Sequence, residues 1–291
     1  MSYLLLTSLV WAFSFGLIKG QLTGLDATAV ATLRLLCALL VFLPFFRWSA
    51  ATARTRWRLA VIGAVQFGLM YVLYLRAFAL LQAYEVALFT IFTPVYVALF
   101  DAAQEKRWLA RHLVAAGLAL IGAGVLLWRA TLSADLVAGF LLVQLSNLCF
   151  AAGQLAWKRE QARLDGASPR EVFALLYAGA LGATAVVSLF TTDWSGFRPD
   201  WTQAGIMVYL GVVASGLGFF WWNLGAARVN SGTLAVFNNS KIPLAVAVSL
   251  LFFGETADLP RLLLSLLLMF AAIAVAENWF RRSEGPAGYS G

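Results

Sequence analysis

Ten runs of about 20 apolar residues follow one another through this chain with little between them. They read at 3–20, 27–47, 57–80, 83–101, 109–129, 135–157, 169–191, 202–226, 231–253 and 260–280. A run of that length, wound as a helix, crosses a hydrocarbon layer of about 30 Å. Few folds can hide so many: 62% of the 291 residues are hydrophobic and only 12% charged, more apolar surface than a soluble domain of this size needs. The pattern predicts an all-α polytopic membrane protein of ten transmembrane helices, with the lipid bilayer as its first partner. The gaps leave no room for a soluble domain, and the tail "RRSEGPAGYSG" over residues 281–291 has the composition of a disordered cytoplasmic segment. No basic residue precedes the first apolar run, and Lys19 closes it, so it reads as a span rather than a cleaved signal.

The basic residues fix an orientation. Of the 21 lysines and arginines, fourteen fall on the side shared by the two termini, among them Arg47, Arg54, Arg58, Lys106, Lys158 and Arg228. The positive-inside rule then places both termini in the cytoplasm and the chain in the cell's inner (plasma) membrane. This bias accounts for the formal net charge of +7, so the basic balance is a topology signal and predicts no nucleic-acid partner. Cys37 and Cys149 both lie inside spans, with no disulfide framework and no metal-ligand spacing.

The chain repeats. "WAFSFGLIK" from Trp11 and "FAAGQLAWK" from Phe150 both open on an aromatic followed by Ala and close on Lys, and Leu25-Asp26 and Leu164-Asp165 follow at the same interval. Further on, "FTPVYVALF" around Pro94 pairs with "SKIPLAVAV" around Pro243 at a slightly longer offset, which a loop insertion explains. These pairs divide the chain into a first five-helix repeat at 1–130 and a second at 131–280. An odd number of spans per repeat forces the second half to insert upside down. Inverted repeats are a device of alternating-access carriers, whose halves exchange conformations around a midplane site.

At this point the chain resembles the drug/metabolite transporter superfamily, in its ten-helix EamA-type branch. The resemblance rests on "ATLRLLCALLVFLP" with Arg34, "IFTPVYVALF", "GLALIGAGVLL" and "IPLAVAVSLLFFGE". Within that branch it looks most like the YddG-type exporters of aromatic amino acids and related metabolites. The resemblance implies that the first, third, fourth, sixth, eighth and ninth helices surround a central cavity, with the fifth and tenth at the periphery.

Candidate cavity residues come from polar groups at helical spacing. Gln144, Asn147, Ala151, Gln154 and Lys158 form one face of the sixth span, and Thr7, Trp11, Ser14 and Ile18 a milder one on the first. Tyr74 lies deep in the third span near Met70 and Gln66, and the eighth offers Trp222 and Asn223. The ninth holds "VFNNSKIPLAV", with Lys241 at mid-span. A lysine there costs about 2.5 to 3.5 kcal/mol on insertion scales, so it should face water or an anion. Phe237 and Asn238 share its face, a set that suits a zwitterion whose carboxylate meets Lys241. Glu85 or Glu277 as a buried counter-ion is the competing assignment.

Pro94 and Pro243 each remove a backbone donor and are expected to bend the fourth and ninth spans, as paired hinges. Arg34 is assigned a structural polar role near the outer face. The small-residue ladder of Ala115, Ala119 and Ala123 in the fifth span fits helix packing or a subunit contact. A monomer is expected, with a homodimer as the alternative.

Catalysis finds no support. The sole histidine, His112, lies beside a cytoplasmic loop, no two carboxylates are spaced for joint work within the bilayer, and no phosphate-binding glycine loop precedes a helix. Neither cofactor nor metal is expected. The predicted function is export of amino acids, aromatic and other small amphiphilic metabolites, by alternating access. A broad drug or metabolite exporter is the alternative, and a channel or an intramembrane enzyme fits less well. Facilitated diffusion or exchange is expected over proton coupling, since carboxylates within the spans are scarce.

Overall fold

The computed structural model describes residues 2–105, 110–127, 133–164, 166–228 and 231–276. The described chain is all-helical. In order the helices are α1 (Ser2–Leu22), α2 (Ala27–Phe45), α3 (Ala53–Leu80), α4 (Ala83–Phe89 and Phe92–Glu105), α5 (Ala110–Leu127), α6 (Ala134–Gln161), α7 (Pro169–Thr191), α8 (Trp201–Arg228), α9 (Ser231–Phe252) and α10 (Leu259–Ala276). Glu277 and the tail lie outside the described residues.

Helix starts are written locally. The Asp26 carboxylate accepts from the Ala29 N–H at 2.8 Å to open α2, and Ser133 accepts from Leu136 to open α6. Reciprocal capping pairs, Gln82 with Glu85, Ser168 with Glu171 and Asp200 with Gln203, open α4, α7 and α8, each satisfying N–H groups that a first turn leaves orphaned. Large apolar side chains such as Leu40, Leu141, Phe190, Leu251 and Leu267 point outward, as a lipid-facing surface requires.

The packing repeats under exchange of the halves. α1 packs on α9 as α6 packs on α4; α3 packs on α6 as α8 packs on α1; α2 packs on α8 as α7 packs on α3. α2 also meets its counterpart α7, and α5 meets α10. Such a list maps onto itself when helices one to five are swapped for six to ten, which is the contact pattern of two inverted five-helix repeats. α5 and α10 stand together at the edge, where Ser265 Oγ donates to the Gly122 carbonyl at 2.6 Å. On α5, Gly122 and Ala123 are buried while Gly117 and Gly124 face open space; the side chains of Ala115, Ala119 and His112 lie outside the described residues. α3 and α7 approach closely: a Cβ on Gly63 would strike the Leu176 carbonyl and one on Gly179 the Ala60 carbonyl.

Two departures from plain helix matter for the site. α3 and α8, equivalent in the two repeats, both widen into π-helical turns, at Ala64–Leu69 and Leu210–Leu217; a third closes α1 at Ile18–Leu22. Such turns displace the backbone ladder and gather at functional sites. α4, by contrast, breaks at Thr90-Ile91, whereas α9 runs without interruption across Pro243. The two proline positions therefore differ in helix continuity.

The physical cause lies in the carbonyls. Pro94 has no N–H for the Thr90 carbonyl, and Thr93 N bonds there instead at 3.1 Å. The Phe89 carbonyl loses that donor and is taken by α6, with Asn147 Nδ2 at 2.8 Å and Gln144 Nε2 at 3.5 Å. A side-chain pair on one repeat thus completes the broken helix of the other.

Candidate functional site

A cavity lies where the two halves meet. α1 brings Trp11, Ser14, Phe15 and Ile18, the i, i+3, i+4, i+7 positions of one helix face. Met70, Tyr71 and Tyr74 come from α3, and Ser146, Asn147 and Phe150 from α6. α4 adds Thr90 and Thr93 at its break, α8 Phe219, α9 Lys241 and α2 Arg34. The space they line is about 560 Å³ with its open mouth and the solvent there included. The fifth, seventh and tenth helices contribute no lining residue among those described.

One wall is aromatic. Trp11 stacks edge-on to Phe219 and Phe150 with centroids 5.4 and 6.3 Å apart, and its Nε1 donates to the Ala214 carbonyl at 2.8 Å, which fixes the ring against the π turn of α8. Tyr74 lies 6.2 Å from Tyr71, nearly parallel, and 6.0 Å from Phe15. The opposite side is neutral and polar. Thr93 Oγ1 donates to Asn147 Oδ1 at 3.2 Å, and Tyr96 donates to Gln144 Oε1 at 3.1 Å, so α4 and α6 share one hydrogen-bonded seam.

Two cations stand in this cavity. Lys241 is buried, with Nζ 4.9 Å from the Trp11 ring centroid and 5.7 Å from that of Trp222. Arg34, 1% exposed, reaches from α2 with its guanidinium carbon 4.6 Å from the Tyr71 ring centroid. Its Nη2 donates to Tyr71 Oη at 2.9 Å and to Ser215 Oγ at 3.3 Å; Tyr71 and Ser215 are 2.9 Å apart, and Ser215 Oγ reaches the Leu210 carbonyl at 2.8 Å. With both Nη2 hydrogens used, the tyrosine proton goes to Ser215 and the serine proton to Leu210, a one-way chain from α2 through α3 to α8. No carboxylate lines the cavity among the described residues.

Of the residues singled out from sequence, Trp11, Ser14, Tyr74, Asn147 and Lys241 meet in this cavity. Gln154, Trp222 and Asn223 are buried beside it without lining it: Trp222 Nε1 donates to Gln154 Oε1 at 3.4 Å, and Gln66 Nε2 donates to Asn223 Oδ1 at 3.3 Å. Phe237 is half-buried and also off the wall, its carbonyl accepting from Ser8 Oγ at 3.1 Å. The Asn238 side chain lies outside the described residues. Glu85 is occupied at its own helix start, accepting from the Gln82 N–H at 2.9 Å. Arg34 departs furthest from expectation: placed at the outer face by sequence reasoning, it is a wall of the cavity and adds α2 to the helices around it. Sequence reasoning also missed Thr90, Thr93, Ser146 and Phe219. Pro94 pointed at the α4 break, and Phe150 stands three residues from Asn147 on the same helix face.

Ten apolar helices in inverted halves around a mid-depth cavity define an integral membrane carrier. The family model of the EamA-like transporter family matches the chain twice, at residues 1–129 and 137–276, and the chain belongs to that family. A protein of Pseudomonas aeruginosa named a probable biotin transporter is 39% identical over 284 residues, covering 97% of each chain. The biotin transporter of Escherichia coli strain K12 is 36% identical over 282 residues, 96% of this chain and 93% of that one. One solved crystal structure superposes with a TM-score of 0.68 at 21% identity, over 98% of this chain and 99% of its own, a likeness of fold alone. The chain is a multi-pass membrane transporter and not an enzyme.

Proposed function

We propose that this transporter carries biotin, or a close relative with the same ring-plus-carboxylate chemistry, by alternating access of its two repeats. The observation that carries the reading is the charge of the cavity: Lys241 and Arg34 line it and, among the described residues, no carboxylate does. A zwitterionic amino acid needs an anionic or strongly accepting site for its ammonium, whereas a monocarboxylate with a neutral head needs none. Biotin has a carboxylate for the cations, an apolar chain and sulfur ring for Trp11, Phe15 and Phe150, and a neutral cyclic urea for the hydroxyls and amides of Thr93, Ser146 and Asn147. The names of the relatives point the same way. Export of aromatic amino acids, the YddG-type expectation, has the aromatic wall in its favour and, among the described lining residues, no carboxylate for the ammonium.

In this reading Trp11, Ser14, Tyr74, Asn147 and Lys241 contact substrate, Gln154, Trp222, Asn223 and Phe237 support the wall, and Pro94 marks the moving joint. Both termini face the cytoplasm, as the distribution of basic residues argues. The test is counterflow in proteoliposomes. Labelled biotin should enter vesicles preloaded with unlabelled biotin, saturably, and excess phenylalanine should leave that uptake unchanged. Phenylalanine counterflow without biotin counterflow would return the protein to amino-acid transport, and direction follows from repeating the assay in sided vesicles.

A further inference from the structure

The guanidinium of Arg34 is only partly satisfied. Arginine presents five N–H donors, and the Tyr71–Ser215 chain accounts for the two on Nη2. Nε and Nη1 are buried and have no hydrogen-bond partner, and no carboxylate among the described residues pairs with the group. A buried guanidinium with idle donors is strongly unfavourable unless something supplies the missing acceptor. Arg34 also stands in the wall of the cavity, beside the face of Tyr71. A structural arginine on this scale would bond backbone carbonyls or a helix end; this one is braced by two hydroxyls on one nitrogen, with Nε and Nη1 buried and unpartnered.

We propose that Arg34 is the carboxylate anchor of the substrate site, with Nε and Nη1 donating to the substrate's carboxylate while the Tyr71–Ser215 chain holds the guanidinium in place. This rests on the reading of the cavity as a site for a ring-bearing monocarboxylate, and assigns the acid-recognising residue within it. Lys241, held over Trp11 and Trp222, then sets the positive potential and the aromatic wall rather than the directional bonds. The placement has a consequence for coupling: α2, α3 and α8 come from both repeats, so a carboxylate bound to Arg34 bears on a chain that crosses the boundary between the moving halves.

The experiment compares biotin with its primary amide, which keeps rings and chain and loses the charge. In the native protein, the acid should compete for labelled uptake far better than the amide. Arg34→Gln should raise KM for the acid by about tenfold or more with kcat little changed and erase the acid-over-amide preference. Arg34→Lys should retain part of that preference, and Ser215→Ala, which loosens the brace and leaves the guanidinium, should weaken it less than Arg34→Gln does. An Arg34→Gln or Arg34→Lys protein that is monodisperse in detergent and keeps the native acid-to-amide ratio overturns the proposal. If the native protein carries a different carboxylate and no biotin, the biotin reading falls while the same comparison, run with that acid and its amide, still decides the role of Arg34.

Discussion

The ammonium of Lys241 stands 4.9 Å above the ring of Trp11, and that ring is pinned by its own Nε1 bond to the Ala214 carbonyl. The lysine is thus held by α1, whose tryptophan is in turn held by α8, so three helices of both repeats set one charge. Desolvated cation–π pairs contribute about 2 kcal/mol. Trp11→Ala should therefore raise KM for the transported acid on the order of tenfold, while Trp11→Phe, which keeps a π face and loses the Ala214 bond, should fall between. Initial-rate uptake in proteoliposomes checks the order; equal KM values for the three proteins would remove Trp11 from the site.

Asn147 serves both cavity and fold. Its amide donates to the Phe89 carbonyl and accepts from Thr93, closing the gap left by the α4 break. Asn147→Leu strands a buried carbonyl and a hydroxyl, a loss of about 1 to 2 kcal/mol on the scale of buried polar groups and membrane hydrogen bonds. A melting temperature lowered by several degrees in detergent is expected, with Asn147→Gln intermediate; an unchanged melt would show that the break closes without α6.

The loop between α9 and α10 clasps the start of α4. Glu255 Oε1 accepts from Ala83 N at 2.7 Å and Oε2 from Tyr84 N at 3.1 Å, an anion on a helix N-terminus supplied by the opposite repeat. On the same face Lys19 Nζ donates to the Phe78 carbonyl at 2.9 Å. Glu255→Ala should loosen this face. With Cys37 and Cys149 replaced by serine and a reporter cysteine at Ile18, labelling by a membrane-impermeant maleimide from that side should quicken several-fold, and no change in rate would show that the clasp does not gate access.

The crossing of α3 and α7 sets how close the two halves of the carrier lie. Gly63 and Gly179 each face a backbone carbonyl of the other helix, Leu176 and Ala60, where no side chain fits. Neither helix can yield locally without dragging its neighbours. Gly179→Val should abolish folded protein in the membrane, read as loss of a monodisperse peak, whereas Gly182→Val, at a position facing open space, should leave it intact.

What the sequence revealed and what it hid follow from range. Span positions were legible because hydropathy is a property of single segments. The place of Lys241 on the cavity wall was legible because a charge at mid-span has few places to go. The place of Arg34 on the cavity wall was hidden because its surroundings, Tyr71 from α3 and Ser215 from α8, are far away in sequence and meet only through the repeat interface. Gln154 and Asn223 were assigned to the cavity on polarity, but each spends its hydrogen bonds on a neighbouring helix. A polar stripe marks a face turned away from lipid without saying whether water or another helix meets it.

The two prolines, symmetric in sequence, should behave differently in function. Pro94 sits just after a true break, where the Phe89 carbonyl is held by α6, while Pro243 lies within a continuous helix. Alanine at 94 restores an N–H that can bond the Thr90 carbonyl and draw the helix straight, pulling Phe89 away from Asn147. The two α4 halves would then move as one rod, and a carrier that needs them to swing separately would slow. Pro94→Ala should lower the maximal transport rate several-fold with KM for the acid almost unchanged. Pro243→Ala, which removes no break, should change the rate much less. Equal effects of the two substitutions would show that the α4 break is a static feature of packing and that the repeats rock about some other joint.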